Sequence, residues 1–138
     1  MTKRFLLDTN IVSEPLRPQP SPGVMRRLRD HDGEIAIPAL VWHEFRFGCA
    51  RLARSRRREA IERYLDDVVA VCMPVLDYDR RAADWHALER ARLVATGRTP
   101  PFVDGQIAAI ARVNDLILVT SNQAAFRDFR GLHVRSWK

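Results

Sequence analysis

The sequence predicts an α/β fold built on a parallel sheet, and three observations carry the prediction. Short apolar runs that read as buried strands, such as Phe5-Leu6-Leu7 and Leu116 to Val119, alternate with longer stretches of helical periodicity. Strands separated by helices pair in parallel through right-handed crossovers. No internal repeat, low-complexity tract or linker breaks the alternation, so the 138 residues read as one domain, 1–138, around one core.

Each element follows from local chemistry. Phe5 to Leu7 run straight into Asp8-Thr9-Asn10, the pattern of a strand buried on both faces that emerges at its carboxyl end. Asn10 to Glu14 forms a short helical turn, and Pro15, Pro18, Pro20 and Pro22 stiffen the loop beyond it. Ser21-Pro22 is an N-cap followed by proline at the first helical position, with Val24, Met25 and Leu28 as the apolar side. After Gly33, Glu34 to Ile37 reads as a second strand. Pro38 then opens a helix through Leu40, Val41, Glu44, Phe45, Gly48 and Leu52. Ser55 caps the next helix, whose core face is Ile61, Tyr64, Leu65 and Val68. Val69 to Leu76 is β-branched and apolar, a third strand in which Pro74 marks a sheet edge or the strand's end. Asp77 or Asp79 caps a long helix carrying Ala82, Trp85, Leu88 and Ala91 at three-residue intervals, closed by Gly97. An apolar helix over Phe102 to Ala111, a strand over Leu116 to Val119, a short helix over Gln123 to Phe126 and a strand near Leu132 to Val134 complete the chain.

Composition narrows the function. With 46% hydrophobic and 29% charged residues the chain has the balance of a soluble globular protein. No apolar run approaches the roughly 18 residues of a membrane span, and Met1-Thr2-Lys3-Arg4 leads into no signal-peptide pattern, so a cytoplasmic location is expected. Cys49 and Cys72 are far apart among apolar neighbours and read as reduced core residues. His43-Glu44 lacks the second histidine of a zinc helix, because position 47 is Phe. A net charge of +6 favours a polyanionic partner, with nucleic acid first among them. Arg51, Arg54, Arg56, Arg57 and Arg58 are either a solvated face or contacts to phosphates or to an acidic partner surface.

Three acids stand in unexpected places. Asp8 ends the first strand, where ligands bind in open α/β sheets, although capping the next helix is its ordinary alternative. Glu44 shares a helical stripe with Leu40, Val41 and Gly48, or else sits at that stripe's solvent edge. Asp104 is in register with Ile107, Ala108 and Ala111 and so points inward, where an N-cap is again the alternative. Carboxylates brought together repel unless protons or a cation intervene, and Mg²⁺ and Mn²⁺ are the hard ions that prefer oxygen ligands. Such a centre suits hydrolysis of phosphodiester bonds. Neither a GxGxxG fingerprint nor a nucleophilic Ser, Cys or Lys constellation is present. A phosphatase with Asp8 as nucleophile would want a second Asp at position 10, which is Asn.

The chain resembles the PIN-domain nucleases, and more closely the VapC-like toxins of prokaryotic toxin–antitoxin pairs. The resemblance rests on Leu7-Asp8-Thr9-Asn10, Glu44 with Gly48, Gly97-Arg98 and Asp104-Gly105-Gln106-Ile107-Ala108-Ala109. It continues through Leu118-Val119-Thr120-Ser121-Asn122 to Gly131-Leu132 and Trp137. It implies a PIN-like three-layer α/β/α sandwich with a central, mainly parallel sheet of four to five strands. It also implies a Mg²⁺- or Mn²⁺-dependent endoribonuclease with Asp8, Glu44 and Asp104 as catalytic, metal-binding acids. Asn10 would orient Asp8, Thr120 and Asn122 would line the site with Thr9 beside them, and a homodimer and an inhibitory antitoxin would be the protein partners. In one position the chain departs from the family: Ala125 stands where a fourth acid is usual. Asp128 is the nearby acid that would compensate. The alternative function is a PIN-like module that binds RNA or a partner with little turnover.

Overall fold

Short segments of two to four residues, apolar in four of five cases, settle as strands in the computed structural model, which describes residues 2–138. They are β1 (Phe5–Leu7), β2 (Ile35–Pro38), β3 (Val75–Leu76), β4 (Ile117–Val119) and β5 (Val134–Arg135). Between them lie α1 (Thr9–Val12), α2 (Pro22–Asp30), α3 (Ala39–Ala50), α4 (Arg56–Arg63), α5 (Ala70–Cys72), α6 (Arg80–Ala95) and α7 (Phe102–Val113). The five strands form one sheet in the order β3-β2-β1-β4-β5, and every pairing is parallel. Successive crossovers run outward from β1 through β2 to β3, then return to β4 and β5 on β1's other side. Right-handed crossovers in opposite directions place helices on both faces, which gives the three-layer sandwich. β1 is buried throughout, as its unbroken apolar run required.

This order makes the β1–β4 boundary the point where the winding reverses, and ligands in open parallel sheets bind outside the strand ends at such a point. The register brings the two strand ends level: Leu6 pairs with Leu118 and Leu7 with Val119. One more backbone bond, from Asp8 N–H to Val119 O at 3.0 Å, sets Asp8 beside Thr120.

Local signals explain most of the helices. Ser21 caps α2 by accepting from Val24 N–H at 3.4 Å, and Asp79 caps α6 by accepting from Ala82 N–H at 2.9 Å. Gly97 adopts φ 79° after α6, a left-handed turn that residues with a Cβ resist. In α7 the small residues Ala108, Ala109 and Ala111 are wholly buried, so the helix lies close against its neighbours. At the sheet's other end Trp137 is buried edge-on against Phe5, with ring centroids 5.2 Å apart.

Several expectations need correction, among them Val68, which is exposed where a core position was expected. Val69 to Cys72 is helical, not strand: a π-helical turn over Tyr64–Val69 runs on into α5, with Leu65 and Val69 facing the core. Only Val75–Leu76 pairs, at the sheet edge, where Pro74 cannot interrupt a central ladder. The buried face of α6 is Ala82, His86, Glu89 and Leu93, while Leu88 is 75% exposed and Ala91 is also exposed. Each three-residue step falls about 60° short of a helical turn, so a spacing of three walks off the face. Cys49 is buried as expected, but Cys72 is exposed.

Candidate metal centre

Asp8 performs two tasks with its two oxygens. Oδ1 accepts from Thr9 N–H at 2.8 Å, capping α1, and Oδ2 accepts from the Thr120 hydroxyl at 2.9 Å. The capping alternative is thus realised, and it leaves the carboxylate fixed in direction. Thr120 is fully buried, and its single proton is committed to Asp8. Its oxygen accepts from Asn122 N–H at 3.1 Å and from Asn10 Nδ2 at 3.5 Å. Asn10 Oδ1 in turn accepts from Ser121 N–H at 3.0 Å. Asn10 therefore ties the turn after β1 to the turn after β4, and reaches Asp8 only through Thr120. Ser121 was not singled out from the sequence, because its part is played by a backbone amide. The Asn122 side chain lies on the exposed rim.

Asp104 sits in the first turn of α7, half-buried, and does not cap it, since Pro101 occupies the cap position. Burial first, and the charge of Asp8 second, push its carboxyl above the ordinary aspartate range. Among the described residues no hydrogen bond or ion pair reaches its side chain. Two oxygen-donor groups that repel each other, one of them without a partner, match what a hard divalent cation requires.

Glu44 departs from the inward position. The buried side of α3 is Val41, Phe45 and Cys49, and Glu44, one residue and about 100° before Phe45, is exposed. It lines a cleft of about 560 Å³ together with Thr9, Asn10 and Gly48, rimmed by Arg17, Arg51 and Arg57. Among the described residues no three Asp, Glu, His or Cys side chains converge as a ready ligand set. Asp8 and Asp104 are brought together, and Glu44 faces the adjoining cleft.

The arginine run divides by function. Arg58 and Arg54 pair with Glu62 at 2.9 and 3.7 Å, Arg56 is exposed, and Arg51 lies over the Phe47 ring at 5.2 Å. Only Arg51 and Arg57 of the five reach the cleft. Asp128, the acid expected to compensate for Ala125, is exposed and pairs with Arg98 at 3.0 Å. Ala125 is half-buried and packs against the core. His86 also escaped sequence reasoning. It is buried against Gly105, the residue after Asp104, and a lone glycine inside an Ala/Ile helix is the signal that marks the contact.

A family model described as "PIN domain" matches residues 5–132. A "tRNA(fMet)-specific endonuclease VapC" of Shigella flexneri is 32% identical over 135 residues, covering 97% of this chain and 98% of its own. "Toxin FitB" of Neisseria gonorrhoeae is 31% identical over 125 residues, covering 88% and 90%. Among solved structures, DNA-bound VapBC from Salmonella typhimurium superposes with a TM-score of 0.83 at 27% identity, over 100% of both chains.

Proposed function

The chain belongs to the PIN-domain family, and on that premise we propose that it is a metal-dependent endoribonuclease, the toxin of a toxin–antitoxin pair, in a single domain spanning 1–138. The observation that carries the reading is Asp104: a half-buried carboxyl, raised by burial and by Asp8, with no donor from the described residues. Asp8 and Asp104 would hold Mg²⁺ or Mn²⁺, with Glu44 contributing from α3. A bound ion of this kind supplies Lewis acidity that activates water against a phosphodiester and steadies charge on the leaving oxygen.

The chain's own residues prepare that chemistry. The Thr120 hydroxyl and the Thr9 amide hold both Asp8 oxygens in place, so little reorganisation is needed when charge arrives. Asn10 and Ser121 brace the two turns against each other. Arg17, Arg51 and Arg57 ring the cleft beside Glu44, where they would draw RNA phosphates toward the acids. Unpaired RNA is the substrate class that such an open cleft admits. Relatives solved as VapBC complexes support an antitoxin as protein partner, and a homodimer is the proposed assembly. A cytoplasmic setting is part of the proposal; separately, no described helix is long and apolar enough to cross a membrane.

The test is cleavage of total cellular RNA by the purified, antitoxin-free chain with Mg²⁺, with Mn²⁺ and with chelator, beside Asp8→Asn. Discrete fragments that require metal and vanish in the variant are expected. Ala125, packed on the core where the family usually has an acid, favours a second reading as an RNA- or partner-binding module with little turnover. Folded protein that binds RNA but cuts it with neither metal would establish that reading.

A further inference from the structure

α7 starts without a side-chain cap, so the aim of Asp104 depends on how the first turn of the helix is packed. One side chain dominates that packing. His86 on α6 is only 3% exposed and lies directly against α7 at Gly105. A Cβ at position 105 would come within 2.7 Å of His86 Cδ2, and its nearest atom would be Nε2; the imidazole fills the space that any other residue would need. Phe102, in the same turn, covers the ring, with centroids 4.8 Å apart. From the far side the Tyr78 hydroxyl is hydrogen-bonded to His86 Nδ1 at 2.9 Å, which fixes the ring's rotation. The chain thus runs in contact from Tyr78 to His86 to Gly105, and Asp104 is the next residue.

We propose that His86, pinned by Tyr78, is a positioning residue that sets the first turn of α7 and so aims Asp104 at Asp8. Metal-ligating carboxylates must be held to within about 0.5 Å of their working positions by groups that are themselves locked. His86 is so locked, and it acts on Asp104 through the backbone, touching neither metal nor RNA. The inference rests on the reading of Asp8 and Asp104 as a cation site.

The experiment is titration of Mn²⁺ by calorimetry into the parent, His86→Leu, Tyr78→Phe, Asp104→Asn and Leu93→Ala, with thermal unfolding of each. Leu93 is a wholly buried residue of the same helix, so its truncation reports general loosening. His86→Leu is expected to weaken Mn²⁺ binding about tenfold, the usual cost of losing a supporting group, and Tyr78→Phe about fivefold, the worth of one hydrogen bond. Leu93→Ala should lower Tm while keeping the parental affinity. In RNA cleavage at fixed Mn²⁺, the His86 variant should lose kcat and keep KM. Parental Mn²⁺ affinity in folded His86→Leu and Tyr78→Phe overturns the inference, as does an equal loss in Leu93→Ala. If His86→Leu fails to fold, Tyr78→Phe decides by the same criterion. A parent that binds no Mn²⁺, or an Asp104→Asn variant that binds as the parent does, overturns the cation site itself and this inference with it.

Discussion

Glu89 and Asp104 lie on adjoining helices, α6 and α7, and meet opposite surroundings. Glu89 is buried yet fully supplied: Arg92 donates at 3.0 and 2.7 Å and Arg130 N–H at 2.8 Å. The Arg92 hydrogen bond, ahead of other causes, holds its carboxyl below the usual glutamate range. Asp104 is less buried, takes no donor among the described residues and is held above its usual range by burial and by Asp8. Glu14, 2% exposed, repeats the Glu89 pattern, with Ser21 N–H at 2.7 Å, Arg17 at 3.4 Å and Lys138 at 3.8 Å. Burial of an acid therefore does not mark a site in this protein. What supports the proposed site is a half-buried acid, Asp104, that takes no hydrogen bond from the described residues.

The contrast can be broken most sharply at Asp104. Asp104→Asn should abolish Mn²⁺ binding and RNA cleavage without lowering Tm, since it removes a repelled charge and no hydrogen bond; cleavage at the parental rate would refute the assignment. The mirror experiment is Glu89→Ala, which removes the acceptor of the Arg130 amide and of two Arg92 donors, while Arg92 keeps the Asp128 carbonyl at 2.8 Å. It should cost about 2 kcal/mol in urea unfolding and leave the Mn²⁺ affinity of the folded fraction unchanged. Ala125→Asp would sharpen the comparison by adding an acid to the undersupplied side. We expect Mn²⁺ binding to tighten on the order of tenfold by calorimetry, and an unchanged affinity would place position 125 outside the centre. The smallest effect is expected at Glu14, whose carboxyl is held low chiefly by the Ser21 amide. Its stabilisation is complete above the usual value of about 4.5 and is lost as pH falls through the lower folded value. Thermal unfolding of the parent should therefore weaken in acid more steeply than that of Glu14→Gln.

Where several of the candidate residues lie was legible because polar residues at the end of a buried strand have few places to go. Asp8 and Thr120 follow strands that must be central, and parallel order brings their ends level. Asp104 was readable from its register with Ile107 and Ala108, both buried. Glu44 was not, because a helix position one residue from the core stripe can turn either way, and only packing decides. The α6 face was misjudged for the same reason: Trp85, Leu88 and Ala91 supplied apolar character at the wrong phase, while the true face holds His86 and Glu89. Val69 to Cys72 shows local preference overruled. A β-branched run stays helical because Leu65 and Val69 already face the core one turn apart. Polar residues buried with their partners cannot be recognised until those partners are known.

The pairing of β1 with β4 also governs when the proposed centre could form during synthesis. The hydrogen bond from Thr120 to Asp8 closes a loop of 112 residues, and contacts of such long range form only after that closure entropy has been overcome. A nascent chain that has emerged as far as α7 carries Asp8, Glu44 and Asp104 but lacks the strand that orients Asp8. All three acids precede β4 in the chain, so on the proposed reading they are made before the strand that orients Asp8.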